Sequence, residues 1–441
     1  MSRPISYLED LYRLRNAAGC YSCCQVAGLY SVDLSRELLW RALRKLVLQY
    51  SQLSLQVFAN EGHHEIRPLD CYTLDEVLEV RDDCGMLELI SDINKRYFSL
   101  NVQSPLWRLI LVGKNRLVFY YEHLLFDGTS GKNFHILLRD ALAEALAEKD
   151  AVDAAAPLFD HSRDGLPATN PDQMAFVDYR PSVAFAARVV FHEFAPRWLK
   201  SLLQPFSKFP LIMDLFERRD LARQPGVAND VFELVQLSRE QVTHLVALAR
   251  DHGVKLTALL AMMMHVSLLP TVGNKYTDTS IPVNLRRYMF AKPGPPELGL
   301  FMAEVNVKLL PAAEYGVVAD ECNWSLAAAV QDQLNQGLSS SMKPIGLLKH
   351  ISPRDYLESK LKSPRTTTME ISNLGTVAST SPVKLLRLTF AQPLGLTGPY
   401  FGVNVIGADT GVDIVLVTSS EMAPELAQAK AAFLRLLDKM L

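Results

Sequence analysis

The sequence predicts a mixed α/β fold with two lobes, and three observations indicate it. The chain has 441 residues, enough for about two to three domains. Hydrophobic residues make up 49% and charged residues 21%, which is typical of globular proteins and excludes a mostly disordered chain. Strand and helix patterns alternate on both sides of an irregular stretch. We therefore predict an N-terminal lobe over residues 1–175, a linker region over 176–225 and a C-terminal lobe over 226–441.

Charge and cysteine content narrow the class of protein. The 45 Lys and Arg residues against 48 Asp and Glu residues give a net charge of −3 without a basic stripe, which excludes a typical nucleic-acid-binding protein. Six cysteines are too few for a disulfide scaffold, and no secretory leader pattern opens the chain. The uncharged stretches 256–274 and 388–408 are interrupted by proline and glycine, so we predict no transmembrane segment.

The first lobe begins with a predicted strand over 22–32. Ser35 then caps a helix whose apolar residues recur at helical spacing. A second strand alternates over 54–58, and Gly113-Lys114-Asn115 joins two further strands as a hairpin. These two strands cover 106–112 and 116–122, and a helix is predicted from about 131 to 149.

Between the lobes the composition changes. Residues 150–173 are rich in Ala, Pro, Asp and Gly without periodicity, as expected of a linker. The irregular region extends to about residue 225 and is predicted to hold one or two strands or helices, for example the alternating stretch 183–194.

The second lobe opens with a strand over 230–237. Ser238 and Gln241 form a capping-box pattern for a helix that ends at Gly253. The remaining predicted elements are a buried helix over 256–269, strands over 280–285 and 301–309, a helix over 324–334, strands over 367–374, 385–390, 400–406 and 412–418, and a final helix with Pro424 in its first turn.

The motif most indicative of chemistry is His123-x3-Asp127-Gly128, directly after a strong strand. A neutral imidazole is the commonest general base near pH 7, and a strand end holds it rigidly. Asp127 can orient the local backbone by pairing with a cation, and Gly128 permits the turn into the next helix. Chance predicts about 0.03 such motifs in this composition. The alternative is a hydrogen-bonded histidine beside an ordinary turn.

Several segments then resemble one family in the expected order along the chain. Besides the histidine motif, they are Arg3-Pro4-Ile5-Ser6-Tyr7-Leu8-Glu9, Gly19-Cys20-Tyr21-Ser22, Pro105-Leu106-Trp107-Arg108-Leu109, Ile281-Pro282-Val283-Asn284-Leu285-Arg286-Arg287 and Ile371-Ser372-Asn373-Leu374-Gly375. Together they resemble the fungal alcohol acetyltransferases. These lie within the CoA-dependent acyltransferase superfamily, which includes chloramphenicol acetyltransferase, the plant BAHD enzymes and the condensation domains of peptide synthetases.

The resemblance implies two similar chloramphenicol-acetyltransferase-like lobes with a substrate tunnel between them. It implies that His123 removes the acceptor proton while the acceptor attacks the thioester of acyl-CoA. It also implies that Asp127 points away from the substrate and pairs with an arginine, which we assign to Arg286 with Arg287 as the alternative.

Two departures from the superfamily refine this expectation. Condensation domains usually carry a second histidine before the base, whereas this chain has Glu122, which favours a plain acyltransferase. The Asp-Phe-Gly-Trp-Gly motif of BAHD enzymes is absent, so the plant branch is disfavoured.

Asn373 and Ser372 are the candidates for an oxyanion or acyl site. A strand-end amide or hydroxyl can donate to the tetrahedral oxyanion; the alternative is that Asn373-Leu374-Gly375 is simply a turn, which Asn and Gly both favour. We predict no metal, because Cys20, Cys23 and Cys24 have no second cluster at zinc-ligand spacing.

The predicted function is transfer of an acetyl group from acetyl-CoA, the co-substrate, to the hydroxyl of a volatile alcohol or sterol-like lipid. The alternatives are N-acetylation of an amine, such as a sphingoid-like compound, and a non-catalytic scaffold. We expect a cytoplasmic monomer without nucleic-acid partners. Its final helix either packs on the second lobe or makes peripheral contact with the endoplasmic reticulum or lipid droplets.

Overall fold

The computed structural model describes most of the chain. The described residues are 2–148, 150–165, 173–187, 225–227, 229–273, 275–289, 298–338, 340–363, 365–378 and 380–441. Residues 188–224 of the predicted linker, and with them most of the predicted element 183–194, lie outside this set; residues 183–187 are helical.

Strands and helices alternate throughout the described chain. The strands are β1 Arg3–Pro4, β2 Cys24–Tyr30, β3 Leu55–Asn60, β4 His63–Pro68, β5 Cys71–Tyr72, β6 Leu78–Arg81, β7 Trp107–Val112, β8 Arg116–Tyr121, β9 Phe159–Asp160, β10 Asp230–Ser238, β11 Thr277–Asn284, β12 Met302–Leu309, β13 Met369–Thr376, β14 Leu385–Ala391, β15 Phe401–Ala408 and β16 Gly411–Ser419. The helices are α1 Tyr7–Ala17, α2 Arg36–Gln49, α3 Met86–Ile93, α4 Gly128–Ala145, α5 His161–Asp164, α6 Arg239–Asp251, α7 Leu256–Ser267, α8 Leu269–Val272, α9 Trp324–Gly337, α10 Lys343–Leu347, α11 Pro353–Leu361 and α12 Ala423–Met440.

Two lobes, each built on one large sheet, confirm the predicted mixed fold. The N-terminal sheet has the order β14-β2-β8-β7-β6, and α2 and α4 pack together beside it. The C-terminal sheet has the order β10-β16-β15-β13-β11-β12. Apolar side chains of α6, α7, α9 and α12 form one core with this sheet, so the apolar face of the final helix α12 is buried against the lobe.

Strand alternation gives the C-terminal sheet two different faces. Ile371, Val403 and Val405 belong to the core with the helices, whereas Ile406 and Ala408 belong to the core of the N-terminal lobe. Successive side chains of a strand point to opposite faces, so the even-numbered residues of β13 and β15 face the N-terminal lobe.

One strand crosses between the halves of the sequence. β14 comes from the C-terminal half, but it pairs antiparallel with β2 at the edge of the N-terminal sheet, from Leu385 opposite Tyr30 to Ala391 opposite Gln25. Leu388 and Phe390 are accordingly buried in the N-terminal core. The two lobes are therefore interleaved along the chain.

Helix boundaries follow the capping residues. Ser35 caps α2 and Ser238 forms the predicted capping box with Gln241 at the start of α6. Helix α4 begins at Gly128, three residues before the predicted start, because the Asp127 carboxylate accepts a hydrogen bond from the Ser130 N–H and is itself the N-cap.

Candidate active site

His123 lies two residues beyond the end of β8 in a nearly closed aromatic environment. The residue is only 6% exposed. The imidazole stacks on Tyr12 with a centroid distance of 4.5 Å and an interplanar angle of 8°, and the Tyr21 ring approaches edge-on at 5.9 Å. The two tyrosines fix the plane of the imidazole.

Helix α1 supplies the stacking partner. Ser6 and Glu9 form a capping box at its start, and Arg3 pairs with Glu9 on the same end. Helical spacing then places Tyr12 against His123, while the Arg15 guanidinium lies over the Tyr12 and Tyr21 rings at 5.2 and 4.6 Å. The first 21 residues therefore build one wall of the site.

The environment keeps the imidazole neutral. The pKa of His123 is lowered to about 4, chiefly by burial and also by the charge of Arg15, while the residue's own main chain and Asp127 act in the opposite direction. Nδ1 is buried without a hydrogen-bond partner among the described residues, and Nε2 has none there either. A neutral histidine with unpaired nitrogens can accept a proton from a bound molecule.

Asp127 makes a buried ion pair across the lobes. Arg286 donates from Nη1 to Oδ2 at 2.8 Å and from Nη2 to Oδ1 at 3.0 Å. The carboxylate also accepts from the Phe301 N–H at 2.8 Å and from the Ser130 N–H at 2.7 Å. Burial by itself would raise the pKa of Asp127, but the charge and hydrogen bonds of Arg286 outweigh it and hold the pKa below its usual value.

The two arginines considered as partners of Asp127 lie in different environments. Arg286 is buried and engaged with Asp127, whereas Arg287 is exposed and lies over the Tyr288 ring at 4.7 Å. Both oxygens of the Asp127 carboxylate accept hydrogen bonds from protein groups, so the role of this residue is to hold the structure of the site.

Gly128 provides space at the junction of the lobes. A Cβ atom there would lie 2.9 Å from Leu374 Cδ2 and 3.4 Å from Phe390 Cζ. Gly128 begins the helix that follows the turn, and its φ lies outside the left-handed region, so the close approach of β13 and β14 is what requires glycine here.

Ser372 and Asn373 point to opposite faces of β13. Asn373 donates from Nδ2 to Thr257 Oγ1 at 3.1 Å and accepts from the Gly375 N–H at 2.9 Å, so its amide is engaged on the helix-covered side and in a turn. Ser372 is buried on the face toward the N-terminal lobe, and its hydroxyl has no hydrogen bond among the described residues. Of these two residues, Ser372 is the one that can donate toward the space between the lobes.

Sequence reasoning did not predict the network of polar residues that surrounds His123. Glu122 is buried and accepts from Asn16 Nδ2 at 2.7 Å, and burial raises its pKa to about 8. Tyr21 contacts Gln392, which in turn donates to Glu370 on β13. Two features of the sequence could have indicated this network. One is the Ser6-x2-Glu9 capping box, which predicts helix α1, and the other is Glu370, the one charged residue of strand β13.

The described part of the chain holds neither a metal-binding cluster nor a membrane-spanning helix. No group of three or more His, Cys, Asp or Glu side chains there could hold a metal ion. No helix among the same residues is long and apolar enough to cross a bilayer.

Comparison with known proteins matches most of the chain to one family. A family model described as alcohol acetyltransferase matches residues 74–441. An uncharacterized protein of Schizosaccharomyces pombe is 25% identical over 99% of this chain and 98% of its own length. The N-acetyltransferase SLI1 of Saccharomyces cerevisiae is 24% identical over 92% of each chain.

Solved structures share the fold. The TRI3 trichothecene 15-O-acetyltransferase of Fusarium sporotrichioides has a TM-score of 0.69 at 12% identity, covering 99% of this chain and 95% of its own. The starter condensation domain of rhizomide synthetase RzmA, a mutant in complex with C8-CoA, has a TM-score of 0.59 at 13% identity, covering 100% and 95%.

Proposed function

The chain belongs to the alcohol acetyltransferase family, and on that premise we propose that it transfers an acetyl group from acetyl-CoA to a hydroxyl or amino group, with His123 as the general base. The observation that carries the proposal is the neutral, buried imidazole with unpaired nitrogens at the junction of the lobes. A catalytic base must be unprotonated and within reach of a bound acceptor.

The steps follow from the groups in place. His123 takes the proton of the acceptor as the acceptor oxygen or nitrogen attacks the thioester carbonyl carbon. The tetrahedral intermediate then collapses, the carbon–sulfur bond breaks, and the proton passes to the thiolate of CoA. Ser372, whose hydroxyl is free to donate toward the space between the lobes, is the candidate for stabilising the oxyanion.

CoA carries phosphate groups, and a basic cavity lies further along β13. This cavity has a volume of about 520 Å³ and is lined by Arg239, Thr376, Lys384 and the single acid Asp409, among others. Leu374 of β13 contacts Gly128, and Thr376, two residues further along the same strand, lines the cavity. Arginine and lysine are the usual ligands of phosphate, so we assign this cavity to the nucleotide end of acetyl-CoA.

Two acceptor classes have specific support. A hydroxyl acceptor is favoured by the description of the family and by the activity named for TRI3. An amino acceptor is favoured by the activity named for SLI1. One assay tests the proposed transfer to both classes of acceptor.

The experiment is incubation of the purified chain with acetyl-CoA and a mixture of alcohols and amines. Release of CoA and the mass of the acetylated product are measured for the wild type and for His123→Ala. Product from the wild type and its loss from the folded variant are expected. Absence of product from folded wild-type protein with any acceptor would point instead to a non-catalytic scaffold.

A further inference from the structure

The face of the C-terminal sheet toward the N-terminal lobe carries two carboxylates side by side. Glu304 on β12 accepts from the Ser280 hydroxyl at 3.0 Å, and Ser280 is paired in register with Glu370 on the neighbouring strand β13. Glu304 is exposed and Glu370 is half-buried. We call the surface formed by Ser280, Glu304, Glu370, Ser372 and Asn404 the acidic face.

Short contacts connect the acidic face to the proposed base. The Tyr21 ring lies 5.9 Å from the His123 ring, and the Tyr21 hydroxyl lies 3.4 Å from Gln392 Oε1. Gln392 donates through its other amide atom, Nε2, to Glu370. One tyrosine and one glutamine therefore separate Glu370 from the imidazole.

The nearby charges do not neutralise these carboxylates. Neither Glu304 nor Glu370 forms an ion pair with a described lysine, arginine or histidine. Arg15 and Lys308 are the cations in the vicinity, and Asp278 adds a third carboxylate next to Glu304. Burial holds the pKa of Glu370 at about 8, so this carboxyl is fully ionised only above that pH or when a cation binds beside it, because an adjacent positive charge favours its ionised form.

A buried amide on the same face has no partner. Asn404 on β15 is 1% exposed, and neither its Oδ1 nor its Nδ2 has a hydrogen-bond partner among the described residues. It is paired in register with Ser372, two residues along the strand from Glu370, so it shares the face that looks toward the N-terminal lobe. A buried polar group without a partner is costly unless a ligand or water satisfies it.

We propose that Glu304 and Glu370 bind the ammonium group of a primary amine, and that an amine is the preferred acceptor of this acyltransferase. The inference rests on the proposed function and names its acceptor class. Carboxylates attract an ammonium ion, whereas an uncharged hydroxyl offers them no compensating charge, so the acidic face distinguishes the two acceptors. The amide of Asn404 can satisfy a further polar group of the same molecule.

Glu370 and His123 can also accept the two protons that an amine acceptor must lose. An ammonium ion has no lone pair, so it must lose one proton before attack and a second as the amide forms. Burial and the neighbouring Glu304 raise the pKa of Glu370 to about 8, so its ionised form can take the first proton and later release it to solvent. The neutral amine then attacks the thioester, the carbon–sulfur bond breaks, the second proton passes through His123 to the departing thiolate, and the N-acetylated amine and CoA result.

The test compares acceptors that differ only in the reacting group. The full chain is assayed with acetyl-CoA and the pairs 2-phenylethylamine and 2-phenylethanol, and octylamine and octanol. Acetylated product is quantified by mass spectrometry. Glu370→Gln and Glu304→Gln each keep the side-chain shape and remove the charge, and Glu321→Gln changes an exposed carboxylate outside the acidic face.

We expect the wild type to favour each amine over its alcohol. Glu370→Gln should lower kcat/KM for the amine by about tenfold or more and leave the value for the alcohol within about twofold. Glu304→Gln should act in the same direction, and Glu321→Gln should change neither. Melting curves check folding, and the exposed Glu304 site carries the test if the Glu370 variant unfolds.

Two results overturn the inference in distinguishable ways. If the alcohols are acetylated and neither glutamine variant changes the amine-to-alcohol ratio, the acidic face does not bind an ammonium group, while the proposed function stands. If neither member of either pair is acetylated by folded protein, the proposed function and the inference fall together.

Discussion

Arg286 and Asp127, which are 159 positions apart in the sequence, are joined by two hydrogen bonds of 2.8 and 3.0 Å in a buried ion pair. Asp127 caps the helix that follows the candidate base, and Arg286 lies just beyond β11 of the other lobe. The pair therefore sets the position of one lobe relative to the other at the site.

Asp127→Ala should destabilise the protein as well as reduce activity. Removing one partner leaves the buried Arg286 charge uncompensated, which typically costs about 3–5 kcal/mol of unfolding free energy. Denaturant unfolding followed by circular dichroism measures the change. Asp320→Ala, which removes a partly exposed pair with Arg435, is the control and should cost less than about 1 kcal/mol. An Asp127→Ala protein that unfolds like the wild type would contradict the structural role.

His123→Ala should separate activity from stability. The lost base should lower kcat by about 10²–10⁴-fold, whereas the melting curve and acetyl-CoA binding should change little. His350→Ala, an exposed histidine, is the control and should leave both unchanged. Retention of more than about a tenth of wild-type kcat would rule out His123 as the base.

The pH dependence should show an unusually acidic base. With an alcohol acceptor, which does not itself ionise, kcat/KM should rise with a pKa of about 4 and stay level from about pH 5 to 8, because only neutral imidazole accepts the proton. Arg15→Gln removes a positive charge that lowers the pKa of His123, so the rise should move to higher pH. A wild-type midpoint near 6.5 would contradict the effect of burial.

Gly128→Ala should test the close approach of the lobes. The added methyl would meet Leu374 at 2.9 Å, so we expect a loss of about 1–3 kcal/mol in unfolding free energy. Combining it with Leu374→Ala should recover part of that loss, because the smaller side chain frees the space. Strictly additive effects of the two substitutions in a double-mutant cycle would show that this contact is not the cause.

Arg239→Ala combined with Lys384→Ala should weaken acetyl-CoA binding. If the cavity takes the phosphates, the KM for acetyl-CoA should rise about tenfold or more with little change in kcat at saturation, since each charged hydrogen bond is typically worth about 1.5–3 kcal/mol. The test is a titration of acetyl-CoA at fixed acceptor. Arg250→Ala, on the same helix as Arg239, is the control; an unchanged KM in the double variant would move the phosphate site elsewhere.

Local patterns predicted most elements because they depend on neighbouring residues. The Ser35 and Ser238 caps and the hairpin through Gly113 are fixed by short-range hydrogen bonds and turn chemistry, and the structure confirms them. Helix α1 was missed although Ser6 and Glu9 carry a capping-box signal, and with it the stacking partner Tyr12 was missed.

The remainder of the site depends on long-range packing. Strand alternation separates Ser372 from Asn373, but the sequence does not say which face of β13 meets the other lobe. The approach of Glu370 to His123 through Tyr21 and Gln392 involves residues more than 300 positions apart, and no local period encodes it.

The interleaved strand β14 also has a consequence for biosynthesis. Tyr30 emerges from the ribosome 355 residues before its partner Leu385, which at about 5–20 residues per second is a delay of roughly 20–70 s. Throughout that interval β2 is an unpaired edge that another chain can join. The nascent N-terminal half should therefore depend on chaperones until β14, at the start of the last eighth of the chain, has been translated, and two separately expressed halves should be insoluble apart and recoverable only when produced together.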